Sequence, residues 1–448
     1  MKNLFFVTCV FLLASSTLPA QQPHVVLISV DGFRPEFYKK ATWSMVNLRE
    51  AMHEGAYADG VRGVFPTVTY PSHTTMLSGV KPLKHGIYYN TPVEAEGVTG
   101  RWYWEYDSIR VPTVWSAAKA AGRTTAAVSW PVTVGAPITY NLPEVWDLPE
   151  KPGDDLQRYN AVARFSTPKA LFQEVQDYAT GKLSEDALSL DFLSGDQNLS
   201  RMTAYIIVKY KPNFIAVHIA NVDHFEHEQG RDGPKVRAAV AGADQAIKTI
   251  IDAVTAAGLS DSTTFIVTGD HGFVDIHSQL APNTLLVKAG LIDSTNRASW
   301  KAYFHSSGGS SFLHLKNKND KQTLTKVRGL LSSLPEGDRK LFRVVDRMEL
   351  DSIGADPNAA LALAPIQGIS FSGVLGGSLI RSASGGTHGY FPDFKEIETG
   401  FVAFGKGINK GIVIPRMGIE DIAPLVAKLL QIELPSSEGI LYPGILTK

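Results

Sequence analysis

The sequence predicts an α/β protein with a mostly parallel central sheet, helices on both faces and an inserted α+β subdomain. Three observations predict this class. Near-continuous apolar runs recur along the chain, helical patterns separate them, and acidic residues or histidines follow several runs directly. Buried parallel strands are typically continuous apolar runs. Strands that alternate with helices form a parallel sheet that is covered on both faces.

The individual elements follow from apolar periodicity and from the residues that begin or end them. We predict buried strands over residues 24–30, 124–130, 214–220 and 264–268. We predict helices over about 43–53, 112–121, 195–210, 234–257 and 419–430. The helix that starts at Pro234 ends before Gly258, as expected for these two residue types. Gly/Ser clusters break the alternation over about 285–380, which we interpret as an inserted subdomain in a single domain of residues 21–448.

The first twenty residues are typical of a secretory signal peptide. Lys2 supplies the positive start, residues 4–14 form an apolar run interrupted by Thr8, and small residues lead to a cleavage site after Ala20. This run is shorter than the roughly 18–20 residues that a membrane span needs. We therefore expect residues 1–20 to be removed and the mature chain to be exported, to the periplasm or the medium, without a membrane span.

Composition excludes several classes of protein. The chain of 448 residues has 43 Lys and Arg against 44 Asp and Glu, so it lacks the cationic excess of a nucleic-acid or anionic-membrane binder. Its 44% of hydrophobic residues excludes a disordered chain. The single cysteine, Cys9, lies in the signal peptide, which leaves no disulfide, thiolate metal site or cysteine nucleophile. This is typical of a bacterial periplasmic or secreted enzyme.

Metal-ligating residue types follow the predicted strands. The carboxyl ends of parallel strands form the ligand crevice of an open α/β sheet, so residues there share one site. Glycine-flanked His388 adds a further donor from a loop where the backbone can approach a ligand. The resulting oxygen and nitrogen donors suit Zn²⁺ or a similar divalent cation, and their number suits two ions. The six candidate ligands are Asp31, Asp223, His227, Asp270, His271 and His388.

A candidate nucleophile lies in the hydroxyl-rich segment of residues 66–75. We predict a helix that begins near Pro71 or Ser72, whose free backbone N–H groups would face an anion. A threonine hydroxyl in this segment could be activated by a metal ion. Alternatively, the segment only caps the helix. Residue types alone do not choose among Thr67, Thr69, Thr74 and Thr75.

These motifs resemble the nucleotide pyrophosphatase/phosphodiesterase family of the alkaline phosphatase superfamily. The resemblance runs in order through most of the chain, at residues 30–35, 65–73, 84–90, 223–227, 268–272, 386–389 and 421–424. It implies an alkaline-phosphatase-like fold and two zinc ions. It further implies a small phosphodiester or nucleotide as the substrate and hydrolysis through a phospho-threonine.

Carried over residue by residue, the resemblance implies that Thr69 is the nucleophile and that Asn90 donates to a phosphate oxygen. It implies that one zinc is held by Asp31, Thr69, Asp270 and His271. It implies that the other zinc is held by Asp223, His227 and His388. Tyr70 and Trp146 fall near positions where the family has aromatic side chains that stack on a nucleobase. Ser72 departs from the family pattern, which often has Asn there.

The substrate is less clearly indicated, because the superfamily also includes phosphomonoesterases and phosphonate hydrolases. Monoesterases with a threonine nucleophile commonly add Lys or Arg to neutralise the extra charge. The segment of residues 129–135 resembles the Trp-Pro-Gly element of the phosphodiesterases and contains neither Lys nor Arg. This favours phosphodiester or pyrophosphate cleavage. A non-catalytic exported metal-binding protein is a remote alternative, because no ligand or nucleophile is missing.

Overall fold

The computed structural model describes residues 22–94, 100–146, 158–296 and 298–448. The predicted signal peptide therefore lies outside the described residues. The helices are α1 Pro35–Lys39, α2 Val46–His53, α3 Thr69–Ser78, α4 Pro82–His85, α5 Val114–Ala120, α6 Arg158–Phe165, α7 Leu171–Val175, α8 Ser194–Tyr210, α9 Asn221–Gln229, α10 Pro234–Ala256, α11 Asn283–Lys288, α12 Lys321–Ser332, α13 Glu336–Arg339, α14 Arg347–Ile353 and α15 Ile422–Leu430.

The strands are short, and those of the central sheet alternate with the helices along much of the chain. They are β1 His24–Val30, β2 Ala56–Ala58, β3 Val61–Arg62, β4 Thr125–Val128, β5 Tyr140–Leu142, β6 Phe214–Ile219, β7 Thr263–Thr268, β8 Val274–Asp275, β9 Ser278–Leu280, β10 Ala302–Ser306, β11 Ser311–Leu315, β12 Phe342–Val345, β13 Ala359–Pro365, β14 Ile369–Phe371, β15 Ile380–Ser382, β16 Gly386–Thr387, β17 Phe401–Gly405, β18 Ile412–Ile414 and β19 Met417–Gly418.

The central sheet is mostly parallel. Its strand order, within the described residues, is β18-β2-β17-β7-β1-β6-β4-β5. β1 pairs in parallel with β6 and β7, and β4 pairs in parallel with β6 and β5. β17 runs antiparallel to β7 and β2. The predicted fold class is confirmed, and the carboxyl ends of β1, β6 and β7 meet at one edge of the sheet.

Both faces of the sheet are covered by helices, because alternate side chains of a strand point to opposite faces. Val25 and Leu27 of β1 pack into a core with α3, α5 and α15. Val26 and Ile28 pack into a second core with α2, α8 and α10. The described residues include no helix long and apolar enough to cross a bilayer.

The inserted region contains an antiparallel sheet with the order β10-β11-β13-β12. One face of this sheet packs on Val327 and Leu331 of α12. The other face contacts the main body, where the rings of Phe65 and Phe312 have centroids 4.9 Å apart. The chain then returns through β16, which pairs with β8 beside the central sheet. His388 directly follows this strand.

Candidate active site

Two buried carboxylates and a histidine meet where β1 and β7 end. Asp31 follows β1, and Asp270 and His271 follow β7. His271 Nε2 lies 3.2 Å from Asp31 Oδ1 and 3.2 Å from Asp270 Oδ2. Asp270 Oδ1 accepts hydrogen bonds from the backbone N–H groups of Gly32, at 3.2 Å, and His271, at 3.1 Å. These bonds fix the carboxylate so that Oδ2 faces the histidine.

A second donor cluster lies beside the first. Asp223 and His227 are on successive turns of α9, and His388 arrives from the loop after β16. The Nε2 atoms of His227 and His388 each lie 3.5 Å from Asp223 Oδ1. The rings of His271 and His388 stack with centroids 3.6 Å apart, so the two clusters are adjacent. The structure thus brings together all six residues predicted as ligands from the strand ends and the glycine-rich loop.

The three histidines share one orientation. In each ring Nδ1 faces a backbone carbonyl oxygen, which can only accept, so Nδ1 carries the proton and Nε2 keeps its lone pair. The pairs are His227 with Gly386 O at 3.0 Å, His271 with Gly272 O at 3.2 Å and His388 with Thr67 O at 3.0 Å. This is the usual arrangement of histidines that bind a metal.

Several buried atoms at the two clusters have no hydrogen-bond partner within the described residues. They are Asp31 Oδ1, Asp223 Oδ1, Asp270 Oδ2 and His271 Nε2. Buried polar groups are normally paired, so a set of convergent unpaired lone pairs is suited to a cation. The residues present therefore fit one divalent ion in each cluster.

The pKa shifts of the cluster residues also fit the binding of a divalent cation. Burial raises the pKa of Asp31 well above its usual range, and the Asp223 carboxylate raises it further. Burial also raises the pKa of Asp270, with Asp31 adding to the shift. Burial lowers the pKa of His271 well below its usual range and that of His388 to about 4. Neutral imidazoles and crowded carboxylates are suited to a divalent cation, which supplies the missing positive charge.

Thr69 is the first residue of α3, so the helix starts two to three residues before the predicted start near Pro71 or Ser72. Val68 precedes it in an extended backbone conformation. In the next turn, the Nδ1 atom of His73 lies 2.8 Å from the Thr69 carbonyl oxygen. Residues 67–70 contact two residues predicted to be functional, His388 and Asn90. Thr67 O contacts His388 Nδ1 at 3.0 Å, and the Tyr70 N–H donates to Asn90 Oδ1 at 2.9 Å. Thr69 thus lies at a helix N-terminus next to the donor clusters.

The two aromatic residues predicted to contact substrate are bridged by a third aromatic ring and lie in different environments. Tyr70 is fully buried and donates from its hydroxyl to Glu144 Oε1 at 3.1 Å. Trp102 joins it to Trp146, with ring centroids 5.0 Å and 4.8 Å away respectively. The Arg158 guanidinium lies 5.1 Å from the centroid of the half-buried Trp146 ring. Base stacking by Tyr70 and Trp146 stays a prediction.

Sequence reasoning missed two buried residues beside the first cluster. His218 lies within the apolar run of β6, and its Nε2 lies 3.1 Å from Asp31 Oδ2. Its Nδ1 lies 2.6 Å from Glu144 Oε2. A histidine inside a buried strand was the available signal. Glu144 lies 74 residues from His218 in the sequence, and no sequence pattern indicates that the two side chains meet.

A buried ion pair joins α9 to the segment that follows β1. Arg34 Nε lies 2.8 Å from Glu226 Oε1, and the two side chains are 2% and 0% exposed. Arg34 also donates to Glu36 and to the Arg231 carbonyl oxygen, both at 2.6 Å. Because Glu226 lies between Asp223 and His227, this pair fixes the helix that carries the second cluster.

The fold and the two donor clusters define a class of α/β protein that can hold two divalent cations at the carboxyl edge of its central sheet. The chain belongs to the type I phosphodiesterase/nucleotide pyrophosphatase family, whose sequence model matches residues 25–375. The family resemblance inferred from the motifs is thereby confirmed.

Individual relatives are distant. The chain is 24% identical over 284 residues to bis(5'-adenosyl)-triphosphatase enpp4 of Mus musculus, covering 61% of this chain and 51% of the relative. It is 22% identical over 331 residues to ectonucleotide pyrophosphatase/phosphodiesterase 1 of Saccharomyces cerevisiae, covering 66% and 40%. The chain thus spans about half the length of the curated relatives it matches, 51% and 40% in these two cases.

Solved structures show the same fold. Murine ectonucleotide pyrophosphatase/phosphodiesterase 5 superimposes with a TM-score of 0.65 at 18% identity, covering 95% of this chain and 100% of that chain. An inactive variant of that protein, in which alanine replaces a threonine, was solved in complex with AMP and superimposes with a TM-score of 0.64. At this identity the likeness establishes the alkaline-phosphatase-like fold.

Proposed function

We propose that the protein is an exported hydrolase that uses two divalent metal ions to cleave phosphodiester or pyrophosphate bonds of nucleotides. The observation that carries the proposal is the convergence of unpaired Nε2 and carboxylate atoms beside the N-terminus of α3. A helix N-terminus attracts a phosphate, and paired cations stabilise its in-line displacement. Family membership and the names of the relatives support nucleotides as the substrates.

Both donor clusters suit zinc, because imidazole nitrogen and carboxylate oxygen are its common ligands. One ion would be held by Asp31, Thr69, Asp270 and His271. The other would be held by Asp223, His227 and His388. When bound, the two ions would lower the pKa of the attacking hydroxyl and neutralise charge on the attacking and leaving oxygens.

Thr69 is the proposed nucleophile. Its hydroxyl forms an Oγ–P bond while the P–O bond to the leaving group breaks, and the hydroxyl proton passes to solvent. Water then displaces Thr69 Oγ from phosphorus, and the threonine regains its proton. The position at the N-terminus of α3 supports this role, because the positive end of the helix dipole stabilises developing negative charge.

Asn90 is the proposed donor to a non-bridging phosphate oxygen. Its Oδ1 already accepts the Tyr70 N–H at 2.9 Å, which fixes the orientation of the amide. The Nδ2 group therefore points away from Tyr70 and is the part of the side chain that can donate to substrate. The same bond ties Asn90 to the residue that follows Thr69.

The segment after β4 supports a diester rather than a monoester. Trp130 and Val132 are buried, and residues 129–135 carry no cationic side chain. A monoester has one more negative charge to neutralise than a diester. The proposed substrates are nucleotide diesters or pyrophosphates, and Trp146 remains a candidate to contact the base.

The test compares hydrolysis of p-nitrophenyl thymidine monophosphate with that of p-nitrophenyl phosphate by the purified protein, with added zinc and after chelation. We expect a strong, chelator-sensitive preference for the diester. Thr69→Ala should lower turnover by about 10³-fold or more, because a covalent route is lost. The matched control is Thr74→Ala, which removes a buried hydroxyl of the same helix that donates to Tyr70 O at 2.9 Å.

Three results would contradict the proposal. Near-normal turnover by Thr69→Ala would remove Thr69 from the role of nucleophile. Turnover that persists after chelation would exclude the metal-assisted reaction. A preference for p-nitrophenyl phosphate would replace the diesterase by a phosphomonoesterase with the same donor clusters.

A further inference from the structure

A chain of buried hydrogen bonds runs from the first donor cluster to the residue after Thr69. Asp31 Oδ2 lies 3.1 Å from His218 Nε2, and His218 Nδ1 lies 2.6 Å from Glu144 Oε2. The other oxygen of Glu144 accepts the Tyr70 hydroxyl at 3.1 Å. The side chains of Asp31, His218 and Glu144 are 6%, 2% and 6% exposed. The chain is thus shielded from solvent along its length.

The two bonds of His218 fix its ring. Each ring nitrogen faces a carboxylate oxygen, so a rotation of the imidazole would lose both hydrogen bonds in a buried environment. The His73 ring packs edge-on against the same imidazole, with centroids 4.4 Å apart. His73 Nδ1 is itself directed at the Thr69 carbonyl oxygen. Although His73, His218 and Asp270 come close enough to hold a metal, both nitrogens of His218 already face carboxylates.

The fixed His218 ring determines which oxygen of Asp31 faces the first donor cluster. Oδ2 is held by His218, whereas Oδ1 has no hydrogen-bond partner in the described part of the chain and lies 3.2 Å from His271 Nε2. Without the bond to His218, the carboxylate could turn and present either oxygen. Neighbours that hold a ligand in this way commonly change metal affinity by 10–100-fold when they are removed.

We propose that His218 and Glu144 are positioning residues: Glu144 orients His218, and His218 holds Asp31 Oδ2 so that Oδ1 is the atom offered to the metal. Through the Tyr70 hydroxyl, Glu144 also fixes the residue that follows the proposed nucleophile. This inference rests on the proposed function, because it takes Asp31 as a metal ligand.

Two substitutions of His218 separate positioning from mere packing. In His218→Gln the amide nitrogen takes roughly the place of Nε2 and can still donate to Asp31. In His218→Asn the amide nitrogen takes roughly the place of Nδ1 and can reach only Glu144. The matched control is His305→Asn, which alters a histidine of the inserted sheet that is 3% exposed. Circular dichroism checks that each variant is folded.

The measurement is zinc binding to the metal-free full chain by competition with a chromophoric chelator, with the metal content measured by mass spectrometry. We expect two ions per wild-type chain. We expect His218→Asn to weaken one of the two sites by about 10–100-fold. His218→Gln and His305→Asn should stay within a few-fold of wild type at both sites.

Equal affinities in His218→Asn and wild type would overturn the proposal, as would equal losses in the Asn and Gln variants. A third bound ion that disappears in His218→Asn would also overturn it, because His218 would then be a ligand. If His218→Asn does not fold, Glu144→Gln provides the second test. This variant keeps the volume but removes one acceptor, and an unchanged affinity for both ions would refute the proposal.

Failure of this inference is distinguishable from failure of the proposed function. A wild-type protein that binds two ions and cleaves the diester, with variants of unchanged affinity, would refute only the positioning role. A wild-type protein that binds zinc without cleaving any phosphate ester would refute the function. The affinities of the His218 variants would then still decide how Asp31 is held.

Discussion

Gly32 provides a sharp test of how closely the first strand end is packed against α9. Its φ is +71°, and an added Cβ would lie 2.6 Å from Glu226 Oε2 and 3.4 Å from Asp223 Cα. Alanine at a positive φ costs about 1–2 kcal/mol. The contact would also push on the Glu226 carboxylate, whose Oε1 pairs with Arg34, and complete loss of a partner from a buried ion pair costs about 3–5 kcal/mol. We expect Gly32→Ala to lower the free energy of unfolding well beyond the backbone term.

Gly258→Ala separates the two contributions. Its φ is +69°, and an added Cβ there would meet nothing within 4 Å. The assay is urea unfolding of both variants followed by circular dichroism. We expect Gly258→Ala to lose about 1–2 kcal/mol and Gly32→Ala to lose more than this, by up to about 3–5 kcal/mol if the ion pair is broken completely. Equal losses in the two variants would refute the reasoning, because the Arg34–Glu226 pair would then have adapted without a penalty.

Three further predictions concern catalysis, metal binding and pH. Asn90→Asp keeps the oxygen that accepts the Tyr70 N–H but replaces the amide donor, so kcat for the diester should fall about 10²–10³-fold. Steady-state kinetics measures this, and an unchanged kcat would exclude Asn90 as a donor to phosphate. Chelation should lower the thermal midpoint, and zinc at about 100 times its Kd should restore about 2.7 kcal/mol for each site that it fills. Calorimetry that shows no change would contradict metal binding. Burial raises the pKa of Asp196 to about 7, so its ionisation in the unfolded chain should lower stability as the pH rises from about 4 to about 7. Asp196→Asn should reduce this pH dependence in urea unfolding, and identical profiles would refute the assignment.

The metal-binding residue types could be predicted because their positions follow from the topology. Because Asp31 and Asp270 each follow a parallel strand, both carboxylates reach the same edge of the sheet, whatever path the connecting helices take. The spacing of Asp223 and His227 puts them on one face of a helix. These inferences need only the direction of each strand and the period of each helix, which the apolar pattern reveals.

The supporting residues could not be predicted in the same way. The contact between Glu144 and His218 depends on the path of the chain after β5, where no periodic pattern indicates a direction. The predicted start of α3, near Pro71 or Ser72, is two to three residues late, because proline is favoured early in a helix whereas this helix begins at Thr69. Tyr70 also packs against Trp102, in a loop whose sequence has no helical or strand period.

The donor clusters are positioned by the backbone as much as by the side chains. The Nδ1 atoms of the three histidines face carbonyl oxygens of residues 67 and 272, in two different loops, and of residue 386, in β16. Thr67 shows this positioning most clearly. Its carbonyl oxygen faces His388, and its hydroxyl donates to the Tyr390 carbonyl oxygen at 3.0 Å. The loop that leads into Thr69 therefore also orients a ligand of the second cluster. It follows that the proposed nucleophile and the second cluster are one structural unit, so a change that moves the 67–70 segment should alter metal affinity and turnover together.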